Sequence, residues 1–234
     1  MCDDLPGSSN EVLEGYRSSD MTPASAHPQG PFWKEADTPH CDVNFEEEKY
    51  VQVKNAISPE MCEILAQYAL RERNMQFAPE AKCGQVPGTH GVYKDNRIEI
   101  LLLYLKPMME HYTKKRLFST YSYYRVYKSG DILPTHTDRE ACEYSTSITL
   151  GYRYIDKPDD YKWRLYVIND DKKKYMDFVI GDATIYKGME IEHGRDRFDV
   201  GEQSWQVTVF LHYVDADGPY KDLVCDRKPS SIYL

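Results

Sequence analysis

Tyr121-Ser-Tyr-Tyr-Arg-Val-Tyr-Lys-Ser-Gly-Asp-Ile-Leu-Pro-Thr-His-Thr-Asp-Arg-Glu-Ala-Cys-Glu-Tyr-Ser-Thr-Ser-Ile-Thr-Leu-Gly151 decides how the rest of the chain is read. At its centre stands His136-Thr137-Asp138. In a strand, residues i and i+2 face the same side. An imidazole and a carboxylate so placed reach one metal ion from one direction. Ser129-Gly130-Asp131 is a turn signal, so the stretch is expected to supply strands on either side of it.

Downstream, the strand-like period continues. Candidate strands are Tyr121–Tyr127, Leu133–Asp138, Tyr144–Tyr152, Trp163–Ile168, Tyr175–Val179, Ala183–Tyr186, Glu190–His193 and Ser204–Val214. Turn signals such as Lys157-Pro158-Asp159-Asp160, Asn169-Asp170-Asp171, Gly181-Asp182 and Lys187-Gly188 separate them. Upstream, Tyr50–Ile57 alternates as a strand. Ser58-Pro59-Glu60-Met61 opens a helix that runs to about Arg73, with Ser58 as cap and Pro59 first. A second helix spans roughly Asn96–Lys115, with Pro107 inside it. Pro79–Gly91 reads as a loop that contains His90. Residues 1–44, broken by five prolines, read as an irregular arm, and 45–234 as one domain. About eight close strands after two helices predict a mainly β chain with flanking helices (α+β), a sandwich or jelly roll.

The 234 residues suffice for a sizeable core. A formal net charge of -9 argues against a nucleic acid partner, because phosphate binding needs a basic face. No apolar run reaches the length of a membrane span. The six cysteines are scattered without a C-x-x-C pair, and the start is polar, so free thiols in a reducing, cytoplasmic setting are expected.

His136 and Asp138 need a third ligand from another strand. His193, which ends an apolar segment, and His212, which lies within the last strand, are the candidates. Two histidines and one carboxylate form a facial triad with open positions, the pattern of non-haem Fe(II) oxygenases. Arg139, Glu140 and Glu143 lie where the mouth of a pocket is expected. Cys142, near His136, is a weaker alternative as a thiol nucleophile.

Tyr127-Lys-Ser-Gly130-Asp-Ile-Leu133-Pro-Thr-His136-Thr-Asp138 resembles the Tyr-x-x-Gly-x-x-Leu-x-x-His-x-Asp pattern of the Fe(II)/2-oxoglutarate-dependent oxygenases, above all their prolyl-4-hydroxylase-like branch. Gly181-Asp182-Ala183-Thr184-Ile185-Tyr186 resembles the strand that precedes the distal His there, a resemblance that selects His193 over His212, and Asn55–Cys62 resembles the start of such domains. The resemblance covers about Tyr50 to Val214. It implies a double-stranded β-helix, a cupin-like jelly roll, with Fe(II) held by His136, Asp138 and His193. It also implies 2-oxoglutarate as cosubstrate, dioxygen, and a peptide, protein or small amino-acid-like substrate that is hydroxylated with release of succinate and CO2. The alternatives are an AlkB-like nucleobase demethylase and a metal-binding jelly roll without oxygenase activity. Tyr127, Arg125, Thr149 and Gln206 are the implied cosubstrate contacts. Gln206 occupies the place where the family carries Arg or Lys, so the far carboxylate must find its cation elsewhere, with Arg125, Arg153, Arg195 and Arg197 as candidates.

Overall fold

The computed structural model describes residues 44–75 and 84–226. Within them, a short helix α1 (Phe45–Glu48) leads to β1 (Tyr50–Val53), α2 (Pro59–Met75), β2 (His90–Tyr93) and α3 (Ile100–Thr113). Then come β3 (Leu117–Lys128), β4 (Leu133–His136), β5 (Tyr144–Arg153), β6 (Leu165–Asn169) and β7 (Lys172–Met176). The last strands are β8 (Ala183–Lys187), β9 (His193–Arg195) and β10 (Trp205–Asp215), and a 3-10 segment Lys221–Asp226 follows. The proposed arm, apart from Asn44, lies outside the described residues.

Two antiparallel sheets face each other: six strands in the order β1-β8-β5-β10-β3-β2, and four in the order β4-β9-β6-β7. Strand parity then sorts the side chains. On β10, Val207, Val209, Leu211 and Tyr213 join the main core with Leu65 and Ala69 of α2 and Leu102 and Leu105 of α3. The alternate residues Gln206, Thr208, Phe210 and His212 are also buried, on the opposite face. On β3, Tyr124 and Val126 enter the helix-side core, whereas Tyr121, Tyr123 and Arg125 line the cavity between the sheets. The fold is thus the expected mainly β jelly roll with helices packed outside one sheet.

Local chemistry explains the joints. The Ser58 hydroxyl accepts from Met61 N–H at 3.2 Å, capping α2, a contact worth about 1 kcal/mol. The buried Asp182 carboxylate accepts from Lys54 Nζ at 2.6 Å, Asn55 N–H at 3.1 Å and Val179 N–H at 2.9 Å. It thereby ties the end of β1 to the entry of β8.

Several sequence expectations shift. The strand placed at Glu190–His193 is instead β9, His193–Arg195. Its predicted first half is a turn in which Glu190 and Ile191 N–H both donate to the Lys187 carbonyl. The strand placed at Tyr175–Val179 begins at Lys172, because Asp170 and Asp171 both adopt positive φ (50° and 58°) and close a two-residue hairpin. The first strand stops at Val53, before Asn55 at φ 52°. The second helix begins at Ile100 rather than Asn96. His90, placed in a loop, is a buried residue of β2 whose ring lies 5.9 Å from that of Tyr124.

Candidate metal and anion site

His136 ends β4 and His193 opens β9, and the two are cross-strand partners. Asp138 follows two residues after β4, where its N–H donates to the Gly188 carbonyl at 2.8 Å. His136 Nε2 lies 3.5 Å and His193 Nε2 3.7 Å from the same Asp138 Oδ1. The three side chains therefore offer donor atoms within 4.8 Å of one another.

Neighbouring groups aim these donors. His136 Nδ1–H donates to the Pro134 carbonyl at 2.8 Å, and His193 Nδ1–H to the Ile191 carbonyl at 3.0 Å. A carbonyl only accepts, so in the neutral form of each ring the proton sits on Nδ1 and Nε2 carries the lone pair that a metal ion would take. The Ser145 hydroxyl donates to the other carboxylate oxygen, Oδ2, at 3.1 Å. Such outer partners fix ring and carboxylate orientation in metal sites.

Charge follows from burial and neighbours. Burial holds the pKa of His193 below its ordinary value, against the pull of the Asp138 carboxylate. Burial also opposes charge on His136, but the Asp138 carboxylate and the Pro134 carbonyl together outweigh it and raise its pKa. Burial works to raise Asp138, and the facing His136 and His193 overcome it, leaving the carboxyl below the usual range. Two imidazole nitrogens and an ionised carboxylate form a donor set suited to a divalent iron-type ion with open positions.

Asp138 belongs to a second donor cluster with Cys142 and His212. His212 Nδ1 is 2.8 Å from Ser145 Oγ, so this histidine stands behind the hydroxyl that orients Asp138. Burial lowers its pKa to about 4. Burial, with the Asp138 charge, pushes the Cys142 thiol up. A thiol held protonated is a poor nucleophile.

Gly188 was legible only as a turn residue. A Cβ there would collide with the Cys142 carbonyl and stand 2.5 Å from Asp138 Oδ2. Gly188→Ala therefore pushes the carboxylate out of line. The expected result is a loss of divalent-metal affinity of about 10–100-fold, the range for disturbing an orienting partner. Titration calorimetry with Mn(II) checks it, and unchanged affinity would contradict this role.

A cavity of about 480 Å³ opens beside the three donors. Arg125 lines it, together with Tyr186 and Phe210. Of the other nominated contacts, Tyr127, Thr149 and Gln206 do not line it. They lie on the same inward face, and Gln206 is engaged within the protein. Its Nε2 donates to Thr149 Oγ1 and Thr208 Oγ1, both at 3.3 Å, and its Oε1 accepts from the Tyr154 hydroxyl.

The four basic candidates separate by burial. Arg153 and Arg197 are exposed. Arg125 is 2 % exposed and donates to the Tyr127 hydroxyl at 3.2 Å. Arg195, also 2 % exposed, sits two residues beyond His193 on the same inward face. One Nη donates to the Trp163 carbonyl at 2.6 Å, while Nε has no hydrogen-bond partner. Among the described residues no carboxylate forms a salt bridge with it. Its guanidinium lies 5.9 Å from the Tyr127 ring centroid and 5.1 Å from that of Trp163. A buried guanidinium without an anion is costly, so this corner of the barrel favours a negative ligand.

No family profile and no curated protein sequence matches the chain. Solved structures do. A Pseudomonas putida prolyl-4-hydroxylase superposes with TM-score 0.56 at 13% identity, covering 72% of this chain and 95% of its own. The epimerase SnoN, in complex with Fe3+, alpha ketoglutarate and nogalamycin RO, gives TM-score 0.57 at 11% identity, covering 80% and 88%. A Trichoplax adhaerens prolyl hydroxylase, in complex with a hypoxia inducible factor peptide fragment, gives 0.55 at 12%, covering 73% and 86%. At these identities the likeness is one of fold.

Proposed function

We propose that this chain, which has the fold of the Fe(II)/2-oxoglutarate-dependent oxygenases, is itself such an oxygenase. The observation that carries the reading is the convergence of His136 Nε2, His193 Nε2 and Asp138 Oδ1, each held by an outer partner, at the wall of a cavity. These three residues would hold Fe(II). Bound iron, with 2-oxoglutarate and dioxygen, supplies the oxidising chemistry.

The protein's own residues bind, orient and shield. His136, Asp138 and His193 would hold the ion at the cavity wall, with open positions for other ligands. Arg195, which is not itself among the residues lining the cavity, would meet the far carboxylate of 2-oxoglutarate in place of the cation that Gln206 cannot supply, and Arg125 would add positive charge at the cavity wall. The Gln206–Thr149–Tyr154 network then acts as polar backing rather than as the anion's main partner. Tyr127 holds Arg125 through its hydroxyl, and its ring lies against Arg195. Tyr186 and Phe210 on the cavity wall help to exclude water.

The finer reading is hydroxylation of a peptide, protein or amino-acid-like substrate. Similar folds serve epimerisation and carbocycle formation as well as prolyl hydroxylation, so the fold leaves the reaction outcome to the pocket. The test is conversion of 2-oxoglutarate to succinate by the full chain with Fe(II) and oxygen, followed by product mass to detect an added oxygen atom. Iron-dependent succinate formation that His136→Ala abolishes supports the reading. No turnover, together with no 2-oxoglutarate binding by calorimetry, overturns it.

A further inference from the structure

Arg139 follows the metal-site carboxylate directly and lines the same cavity. Its guanidinium is already gripping a carboxylate. Nη1 donates to Asp226 Oδ1 at 2.7 Å and Nη2 to Oδ2 at 2.8 Å, a two-pronged pairing. The guanidinium also stacks 4.7 Å from the centroid of the Tyr121 ring, and the Tyr93 hydroxyl donates to the same Asp226 carboxylate. Tyr93 and Tyr121 both line the cavity, with ring centroids 4.8 Å apart. Guanidinium fork, aromatic shelf and phenolic donor together make a carboxylate-binding station at the lip of the site.

The carboxylate in it comes from the last described residue of the chain. Lys221–Asp226 runs over this end of the barrel, with Leu223 against the cluster of Tyr121, Ala141 and Cys142. Lys94 Nζ donates to the Cys225 carbonyl at 2.9 Å. Cys225 and Asp226 are delivered in left-handed backbone (φ 55° and 51°), a conformation that a residue with a Cβ such as Cys225 adopts reluctantly. The segment is thus held in an unfavourable conformation by the contacts it makes at the station.

The geometry points to Arg139, with Tyr93 and Tyr121, as a subsite for a carboxylate of the substrate, which Asp226 fills until substrate displaces it. The substrate class is an amino acid or peptide carrying an acidic group beside the position that reaches the metal site. This inference rests on the oxygenase reading for its meaning, but its test needs neither iron nor turnover. A station occupied by its own chain nine-tenths of the time binds outside ligand about tenfold more weakly than an empty one.

The probes are N-acetylglutamate and its neutral counterpart N-acetylglutamine, titrated against the full chain by ligand-observed NMR. N-acetylglutamate should bind Asp226→Asn about tenfold more tightly than the unaltered chain and lose its advantage over N-acetylglutamine in Arg139→Gln. Equal binding of acid and amide to all three proteins would overturn the inference, as would an acid preference that survives Arg139→Gln. Should a variant not fold, hydrogen exchange in the unaltered chain decides. Saturating N-acetylglutamate must speed exchange of residues 221–226, and unchanged protection there sinks the idea. Succinate formation, measured separately, tests the oxygenase reading by itself.

Discussion

His193→Ala should lower affinity for Fe(II), or for Mn(II) as its stand-in, by at least about a hundredfold. That is the upper end of what disturbing an outer partner costs, and here a ligand is lost outright. His193 is the only one of the three donors that arrives from a distant strand. His136 and Asp138 are two residues apart in one segment, so without His193 the site would keep two of its three protein donors. The ring cannot be replaced by a neighbour. His212 is turned toward Ser145 Oγ at 2.8 Å, and Tyr186 packs its ring 4.5 Å from that of His193. Calorimetry with Mn(II), alongside circular dichroism to verify folding, gives the answer. A variant that folds and binds metal as tightly as the parent would remove His193 from the site.

Arg195→Met should separate cosubstrate binding from metal binding. Methionine keeps much of the stem volume and removes the charge. Losing a charge-assisted hydrogen bond costs about 1.5–3 kcal/mol, so 2-oxoglutarate affinity should fall roughly 10–100-fold while Mn(II) affinity stays within a factor of about two. The ligand-free protein should be as stable as the parent or more so, because a buried cation without a carboxylate has been replaced by an apolar side chain. Chemical denaturation and 2-oxoglutarate titration on the same preparation measure both. Unchanged 2-oxoglutarate binding would return the far carboxylate to Arg125 or to a residue outside this corner.

The sequence disclosed more of the fold than of the anion site. Alternation and turn residues placed nearly every strand, because inward and outward positions carry different chemistry on β3, β5 and β10. The exceptions have physical causes. At Glu190–His193 apolar and charged residues alternate as in a strand, but backbone hydrogen bonds from Glu190 and Ile191 to Lys187 use the first half as a turn. His90 hides in a stretch rich in glycine, where pairing with Val126 of β3 makes a strand that propensity alone does not announce.

The three donors were readable because His-x-Asp is local and the distal histidine follows a recognisable segment. The cation proposed for the far carboxylate was not, since four arginines qualify by type and only burial separates Arg125 and Arg195 from Arg153 and Arg197. Gln206 drew attention by its position, yet its amide is occupied by Thr149, Thr208 and Tyr154. Gly188 gave no sign of its part, because closeness to the Asp138 carboxylate is a property of the folded turn.

Strand β1 has one more consequence, for the order of events on the ribosome. It lies at the edge of its sheet and pairs with β8 alone, Tyr50 opposite Tyr186. At ordinary synthesis rates the roughly 130 intervening residues take on the order of ten seconds to emerge. The first strand among the described residues is therefore made long before its partner. Through that interval Tyr50-Val51-Gln52-Val53 waits with unpaired backbone, flanked by Lys49 and Lys54. A flanking charge is what keeps such a segment from pairing with the wrong chain. Neutralising both lysines should show itself first in newly made protein, as aggregation during expression.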